Sequence, residues 1–293
     1  MKHLAIILLC LTCCVFAQAP ANRVVTKNIR YRAEEEYTND YIKERCVLDI
    51  NAPENAKDCA VVVWYHGGGL TGGSKSVPTP FFERNKKQPI IVCGMGYRLA
   101  KKNGCKVVDC LQDAAAGLAW VMKNIQNYGG DPKKVFVSGH SAGGYLTLML
   151  GMDPKWLAPY GITPSQIKGL IPESGQCISH FTYREEKGMK KTEPLVDDMA
   201  PIFYAKNAAQ IPPVLLLTGD REMEMLGRYE ENALLRRMLL INGHKDVTLY
   251  EFQGYGHGMT QPAIDPLIRF VNRVSPEREG RAPARPITRE RDS

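Results

Sequence analysis

The sequence predicts a single α/β domain with a mostly parallel central sheet, helices on both faces and a small lid insert. Two observations support this. Continuous apolar runs rich in β-branched residues alternate with segments whose apolar residues recur at helical spacing. The chain also has 293 residues, 44% hydrophobic and 24% charged, which suits one large globular domain. This composition excludes a mainly disordered, collagen-like or multi-span membrane protein.

The predicted elements follow one another in a regular order. Strands are predicted at the apolar runs 60–65, 89–95, 135–138, 168–173 and 213–218, and at 247–252, where apolar and polar residues alternate. A helix is predicted at 111–125, where apolar residues recur at three- and four-residue steps. Further helices are predicted at 142–152, which is rich in small residues, at 224–241, which is amphipathic, and at 263–274. Residues 175–210 have weak periodicity and several turn residues, and are predicted to form the insert.

The two ends of the chain are expected to lie outside the fold. Lys2 precedes an apolar run at 4–16, which is too short for a membrane span, and small residues stand at 15 and 17, just before the expected cleavage point. Residues 1–17 are therefore predicted to be a cleaved signal peptide, and a lipoprotein anchor is the less favoured alternative. The catalytic domain is predicted at 24–274 and a disordered Arg/Pro-rich tail at 276–293. The expected location is secreted or periplasmic, with no stable membrane span.

Charge and cysteine content point to no cofactor. The net charge is +7, and no nucleic-acid-binding motif accompanies the basic tail, so no nucleic acid partner is expected. No Cys/His spacing suggests zinc, and no metal is predicted. Export permits disulfides. Their pairing stays open, with Cys105 and Cys110 as the favoured local pair among cysteines 46, 59, 93, 105, 110 and 177.

A serine lies at the centre of a Gly-x-Ser-x-Gly motif at 139–143, between a predicted strand and a predicted helix. A sharp turn between these elements requires neighbours without a Cβ, so that the hydroxyl can project and the helix can pack closely. The amino end of the helix then directs amides at developing negative charge. Ser141 is therefore the predicted nucleophile.

A glycine-rich loop, His66-Gly67-Gly68-Gly69, follows the first predicted strand directly. It lacks the lysine and the serine or threonine of a phosphate-binding loop. The amides of Gly68 and Gly69, together with that of Ala142, are predicted to form an oxyanion hole. His66 is interpreted as an anchor of this loop.

The predicted general base is His257, which lies between glycines in a loop after the last strand. A histidine base needs a carboxylate that fixes its tautomer and stabilises its protonated form. Asp220 and Glu222 both follow the strand at 213–218, and both are candidates for this acid. In either case the order along the chain is serine, acid, histidine.

Together these motifs resemble the α/β-hydrolase superfamily. Residues 97–100 (Tyr-Arg-Leu-Ala), with Asp113 in the next helix, are similar to the hormone-sensitive-lipase-like and carboxylesterase branch. The resemblance implies an α/β-hydrolase fold and a serine carboxylesterase that forms an acyl-serine intermediate without a cofactor. The expected substrates are short-chain acyl esters, either of small molecules or linked to carbohydrate. Acetyl and feruloyl are the candidate acyl groups on carbohydrate. The alternatives are an arylformamidase or amidase of the same fold, or a non-catalytic binding protein.

Overall fold

The computed structural model describes residues 22–84, 89–225 and 227–276. The predicted signal peptide and residues 277–293 of the predicted tail lie outside this part. The described residues form an eight-stranded sheet in the order β1-β2-β4-β3-β5-β6-β7-β8. The strands are β1 Arg23–Arg30, β2 Val47–Pro53, β3 Cys59–Tyr65, β4 Ile90–Met95, β5 Gly130–His140, β6 Gly169–Glu173, β7 Val214–Gly219 and β8 Val247–Phe252.

The α-helices lie on both faces of the sheet. They are α1 Asp40–Arg45, α2 Thr79–Arg84, α3 Val107–Asn124, α4 Ala142–Met152, α5 Phe181–Glu186, α6 Arg228–Ile241 and α7 Thr260–Val274. Residues of α3, α4 and α6 pack on one face, and α2 and α7 pack on the other around Trp64 and Ile171. Short 3₁₀ helices occur at 34–36, 125–128, 154–156, 158–160, 164–166 and 201–210.

The sheet is mostly parallel, as predicted. Strands β3 to β8 run parallel to one another. Strand β2 is antiparallel to both β1 and β4. The sequence analysis missed β1 and β2. Both are interrupted by polar residues, and β1 is largely exposed, so neither contains the continuous apolar run of a strand buried on both faces.

Two boundaries bear on the site. The helix predicted from residue 224 begins at Arg228, after Gly227 with φ +79°. Residues 220–225 therefore belong to the loop after β7. The insert predicted at 175–210 contains α5 and the 3₁₀ helix at 201–210.

The expected bond between Cys105 and Cys110 is absent, and both thiols are free. Cys110 lies in the first turn of α3, where its Sγ contacts the carbonyls of Lys106 and Leu70. Cys105 precedes the helix and its Sγ contacts Asn103 instead.

Within the described ranges, none of the helices combines the length and the apolar character that a membrane span needs.

Candidate active site

Ser141 occupies a sharp turn between β5 and α4, with φ +56°, a value that non-glycine residues rarely adopt. A Cβ on Gly143 would overlap the carbonyl oxygen of Tyr65, so only glycine lets α4 approach β3 so closely. The Ser141 amide donates to the carbonyl of Glu173 at 2.7 Å. The turn is thus held on two sides.

His257 follows β8 and is held beside this turn. The Nε2–H of His140 donates to the carbonyl oxygen of His257 at 2.7 Å, and the two rings lie 4.7 Å apart. Burial lowers the pKa of His140 to about 4, so its ring is neutral at pH 7. No hydrogen bond joins Ser141 Oγ to His257 among the described residues. Such bonds often tighten only when substrate is bound.

Glu224 is the carboxylate that faces His257. Its Oε1 lies 2.6 Å from His257 Nδ1, and its Oε2 accepts a hydrogen bond from the Ser174 hydroxyl at 2.6 Å. Burial alone would raise the pKa of Glu224. The hydrogen bonds from His257, Ser174 and the Met225 amide outweigh burial and lower the pKa to about 2. Glu224 is therefore an ionised acceptor that can orient the histidine.

The prediction that Asp220 or Glu222 contacts the histidine is wrong in this structure. Glu222 is exposed to solvent. Asp220 joins two loops instead, since its Oδ2 accepts from the Gly254 amide at 2.9 Å and its Oδ1 from the Glu222 amide. The chain after Asp220 forms one helical turn, in which the Glu224 amide donates to the Asp220 carbonyl at 2.7 Å. This turn brings Glu224 to His257.

Sequence reasoning missed Glu224 because it assigned this residue to the following helix. The signal was present in the sequence, where acidic residues stand at 220, 222 and 224 after the strand. Ser174, which also lies 3.0 Å from His257 Nδ1, was missed as well. It follows β6 with φ +49°, and no motif of the sequence marks it.

The glycine-rich loop lies against the nucleophile turn. A Cβ on Gly67 would lie 3.0 Å from the His140 carbonyl and 3.4 Å from the Ser141 Cβ. Gly68 and Gly69 have φ values of +106° and +62°, which favour glycine. Ala142 is the first residue of α4, where an amide has no partner within the helix. Among the described residues, no hydrogen bond from the amides of Gly68, Gly69 or Ala142 is found.

His66 anchors the start of this loop, as the sequence analysis proposed. Its ring stacks on Tyr97 with 4.2 Å between the ring centroids, and the Tyr97 hydroxyl donates to the His66 carbonyl at 2.8 Å. Burial lowers the pKa of His66 to about 4. A neutral, packed ring of this kind suits a structural role.

Arg98 and Asp113 brace the segment that supports the loop. The amide and Nε of Arg98 both donate to Asp113 Oδ2 at 2.8 Å. Two residues on, the Ala100 amide donates to the Leu70 carbonyl at 2.7 Å. The Tyr-Arg-Leu-Ala segment therefore holds the far end of the glycine-rich loop.

In the part of the chain that the structure describes, no cluster of side chains could hold a metal ion.

Residues 16–200 match the family model of the carboxylesterase family. The chain belongs to this family. It is 30% identical to rat (Rattus norvegicus) liver carboxylesterase B-1 over 223 residues, which is 73% of this chain and 36% of the relative. It is 26% identical to mouse (Mus musculus) carboxylesterase 1E over 72% of this chain and 37% of the relative. The chain thus spans well under half the length of these curated relatives.

The fold is similar to that of a solved bacterial enzyme. The apo form of Thermogutta terrifontis esterase 2 has a TM-score of 0.66 and 22% identity, over 87% of this chain and 95% of that chain. This likeness confirms the predicted α/β-hydrolase fold.

Proposed function

We propose that the chain is a serine carboxylic-ester hydrolase with Ser141, His257 and Glu224 as its catalytic triad. One observation carries the proposal. The strained serine turn, the amides of the glycine-rich loop and the His257–Glu224 pair lie at the same end of the parallel strands. Membership of the carboxylesterase family supports the same reaction.

The reaction would proceed through an acyl-serine. His257 accepts the proton of Ser141 as its Oγ attacks the ester carbonyl carbon, and the amides of Gly68, Gly69 and Ala142 stabilise the oxyanion. His257 then returns the proton to the leaving alcohol. It next activates a water molecule, which releases the acid and regenerates the serine. Glu224 stays ionised throughout and stabilises the protonated histidine.

We further propose short acyl groups on extracellular esters, including acetyl or feruloyl groups on carbohydrate. Secretion is inferred from the apolar segment at 4–16. The small size of the helices in the insert between β6 and β7 supports the proposal that the acyl group of the substrate is short. Its described helices are the six-residue α5 and the 3₁₀ helix at 201–210, which are short for an apolar lid.

The test is hydrolysis of p-nitrophenyl acetate, butyrate and decanoate by the full chain, expressed with its own leader in a secreting host. Wild type should prefer acetate or butyrate, and Ser141→Ala should lose activity by about 10³-fold or more. Ser165→Ala, a change of an exposed serine far from the site, should retain full activity. Activity retained by Ser141→Ala would contradict the mechanism. If wild type is inactive on the esters but cleaves formanilides or amides, that result would favour the amidase alternative.

Amino-terminal sequencing of the product in the medium tests export. A start at Gln18 is expected. An intact leader in the cell fraction would contradict the proposed secretion.

A further inference from the structure

The insert contacts the predicted oxyanion loop through α5. The Thr182 hydroxyl donates to the carbonyl oxygen of Gly69 at 2.6 Å. Thr182 is fully buried, and it lies 113 residues from Gly69 in sequence. The Phe181 ring packs on the same glycine, since a Cβ there would lie 3.0 Å from the ring edge.

This contact acts on the part of the loop whose backbone has positive φ. Residues 68, 69 and 70 all have positive φ, and the two glycines can adopt many other backbone conformations. The start of the loop is held by Tyr97, and its end by the Ala100 amide on Leu70. Between these anchors, the described residues supply one hydrogen bond from outside the loop to the Gly69 carbonyl, and it comes from Thr182. Fixing that carbonyl fixes the peptide plane next to the Gly69 amide.

Thr182 is itself held in place. Its amide donates to His180 Nδ1 at 3.1 Å, and the Phe181 amide donates to Gln176 Oε1 at 3.0 Å. At the other end of α5, Glu186 Oε1 accepts a hydrogen bond from the Val107 amide at 2.9 Å. His180 is itself buried, and it caps α5. The helix is therefore braced at both ends, so the position of its hydroxyl is defined.

We propose that Thr182 is a positioning residue that sets the geometry of the oxyanion hole from the insert. It contacts no reacting atom. It acts by holding the Gly69–Leu70 peptide so that the Gly69 amide points at the developing oxyanion. The inference rests on the proposed esterase function, and it assigns to the insert a role in transition-state stabilisation.

The test compares Thr182→Val, which removes the hydroxyl at nearly constant volume, with Thr182→Ser, which keeps it. A positioning effect of this kind should lower kcat by about 10- to 100-fold in the valine variant, with KM changed by less than about threefold. The serine variant should stay within about threefold of wild type. Thr218→Val is the matched control, because Thr218 is a buried threonine whose hydroxyl lies 3.4 Å from the Tyr250 carbonyl in the neighbouring strand.

Inhibition separates positioning from a merely structural role. A trifluoromethyl ketone forms a tetrahedral adduct that carries an oxyanion, so its Ki should rise in Thr182→Val by the same factor by which kcat/KM falls. The Ki of the product alcohol, which carries no oxyanion, should not change. Should the valine variant fail to fold, Thr182→Ala takes its place beside Thr182→Ser.

Three results would overturn the proposal: a kcat in Thr182→Val within twofold of wild type, a serine variant as slow as the valine variant, or an unchanged Ki for the ketone. Failure of the proposed function is distinguishable from these, because wild type itself would then not hydrolyse esters. In that case the role inferred for Thr182 would be contradicted together with the proposed function.

Discussion

Two buried glutamates at the ends of neighbouring strands differ in ionisation at pH 7, one being neutral and the other charged. Glu173 ends β6 and is fully buried, and neither of its carboxylate oxygens has a hydrogen-bond partner among the described residues. Burial raises its pKa to about 8, although the nearby Thr260 hydroxyl opposes the shift. Glu224 follows β7 and is 7% exposed, yet its pKa is lowered to about 2. Hydrogen-bond donors rather than depth of burial decide which carboxyl is charged.

The difference separates two kinds of contribution to the site. Glu224 acts through its charged side chain, which contacts His257. Glu173 contributes its backbone carbonyl, which accepts from the Ser141 amide, while its side chain stays neutral at pH 7. Substitution at the two positions should therefore affect different properties, namely catalysis at Glu224 and stability at Glu173.

The largest expected effect is that of Glu224→Gln. It keeps the shape but removes the charge that stabilises the protonated His257, and kcat should fall by about 10³- to 10⁴-fold. Glu222→Gln is the matched control and should stay close to wild type, because Glu222 is exposed. The measurement is hydrolysis of p-nitrophenyl butyrate. Equal losses in the two variants would remove the distinction between Glu224 and its neighbour.

Acid pH should not abolish activity through Glu224. A pKa of about 2 keeps this carboxylate ionised wherever the fold survives, and its stabilising contribution is lost only as pH falls from about 4.5 towards 2. No loss of kcat due to Glu224 protonation is expected above about pH 3.

A smaller effect is expected for Asp220→Asn. The substitution disturbs the hydrogen bonds to the Gly254 and Glu222 amides, which hold the histidine loop against the acid loop. Activity should fall by about three- to tenfold, and stability by roughly 1 kcal/mol. Steady-state kinetics and thermal unfolding measure the two effects. A loss as large as that of Glu224→Gln would instead place Asp220 in the triad.

The smallest effect on activity is expected for Glu173→Gln, whose main consequence is for stability. In wild type the unfolded chain releases this proton near pH 4.5, whereas the folded chain holds it up to about pH 8. Wild-type stability should therefore decrease between those pH values, because the folded state binds more protons there. Glutamine cannot ionise, so the Tm of the variant relative to wild type should rise from pH 5 to pH 8. A Tm difference that does not vary with pH would contradict a neutral Glu173.

The parts of the site that could be predicted are those whose backbone conformation requires glycine. The turn around Ser141 and the loop at 66–69 need glycines, and this need is visible in the sequence as closely spaced motifs. The acid has no such requirement. Its identity depends on one helical turn after Asp220 and on where α6 begins, and boundaries of elements are poorly encoded in local pattern. Thr182 depends on a contact across 113 residues, which no local pattern contains.

The fold shows the same division. Buried parallel strands such as β3 and β7 are continuous apolar runs and were predicted to within one residue at each end. The antiparallel strands β1 and β2 carry charged and polar side chains at the edge of the sheet, so their pairing depends on neighbours rather than on composition.

The most direct test of the central claim, that Glu224 and His257 activate Ser141, is the rate at which a fluorophosphonate labels the protein, followed by mass spectrometry of the intact chain and its peptides. The account predicts one adduct per chain, located on Ser141, and a labelling rate at least about 100-fold lower in Glu224→Gln than in Glu222→Gln. An adduct on another residue, or equal labelling rates in the two variants, would contradict it.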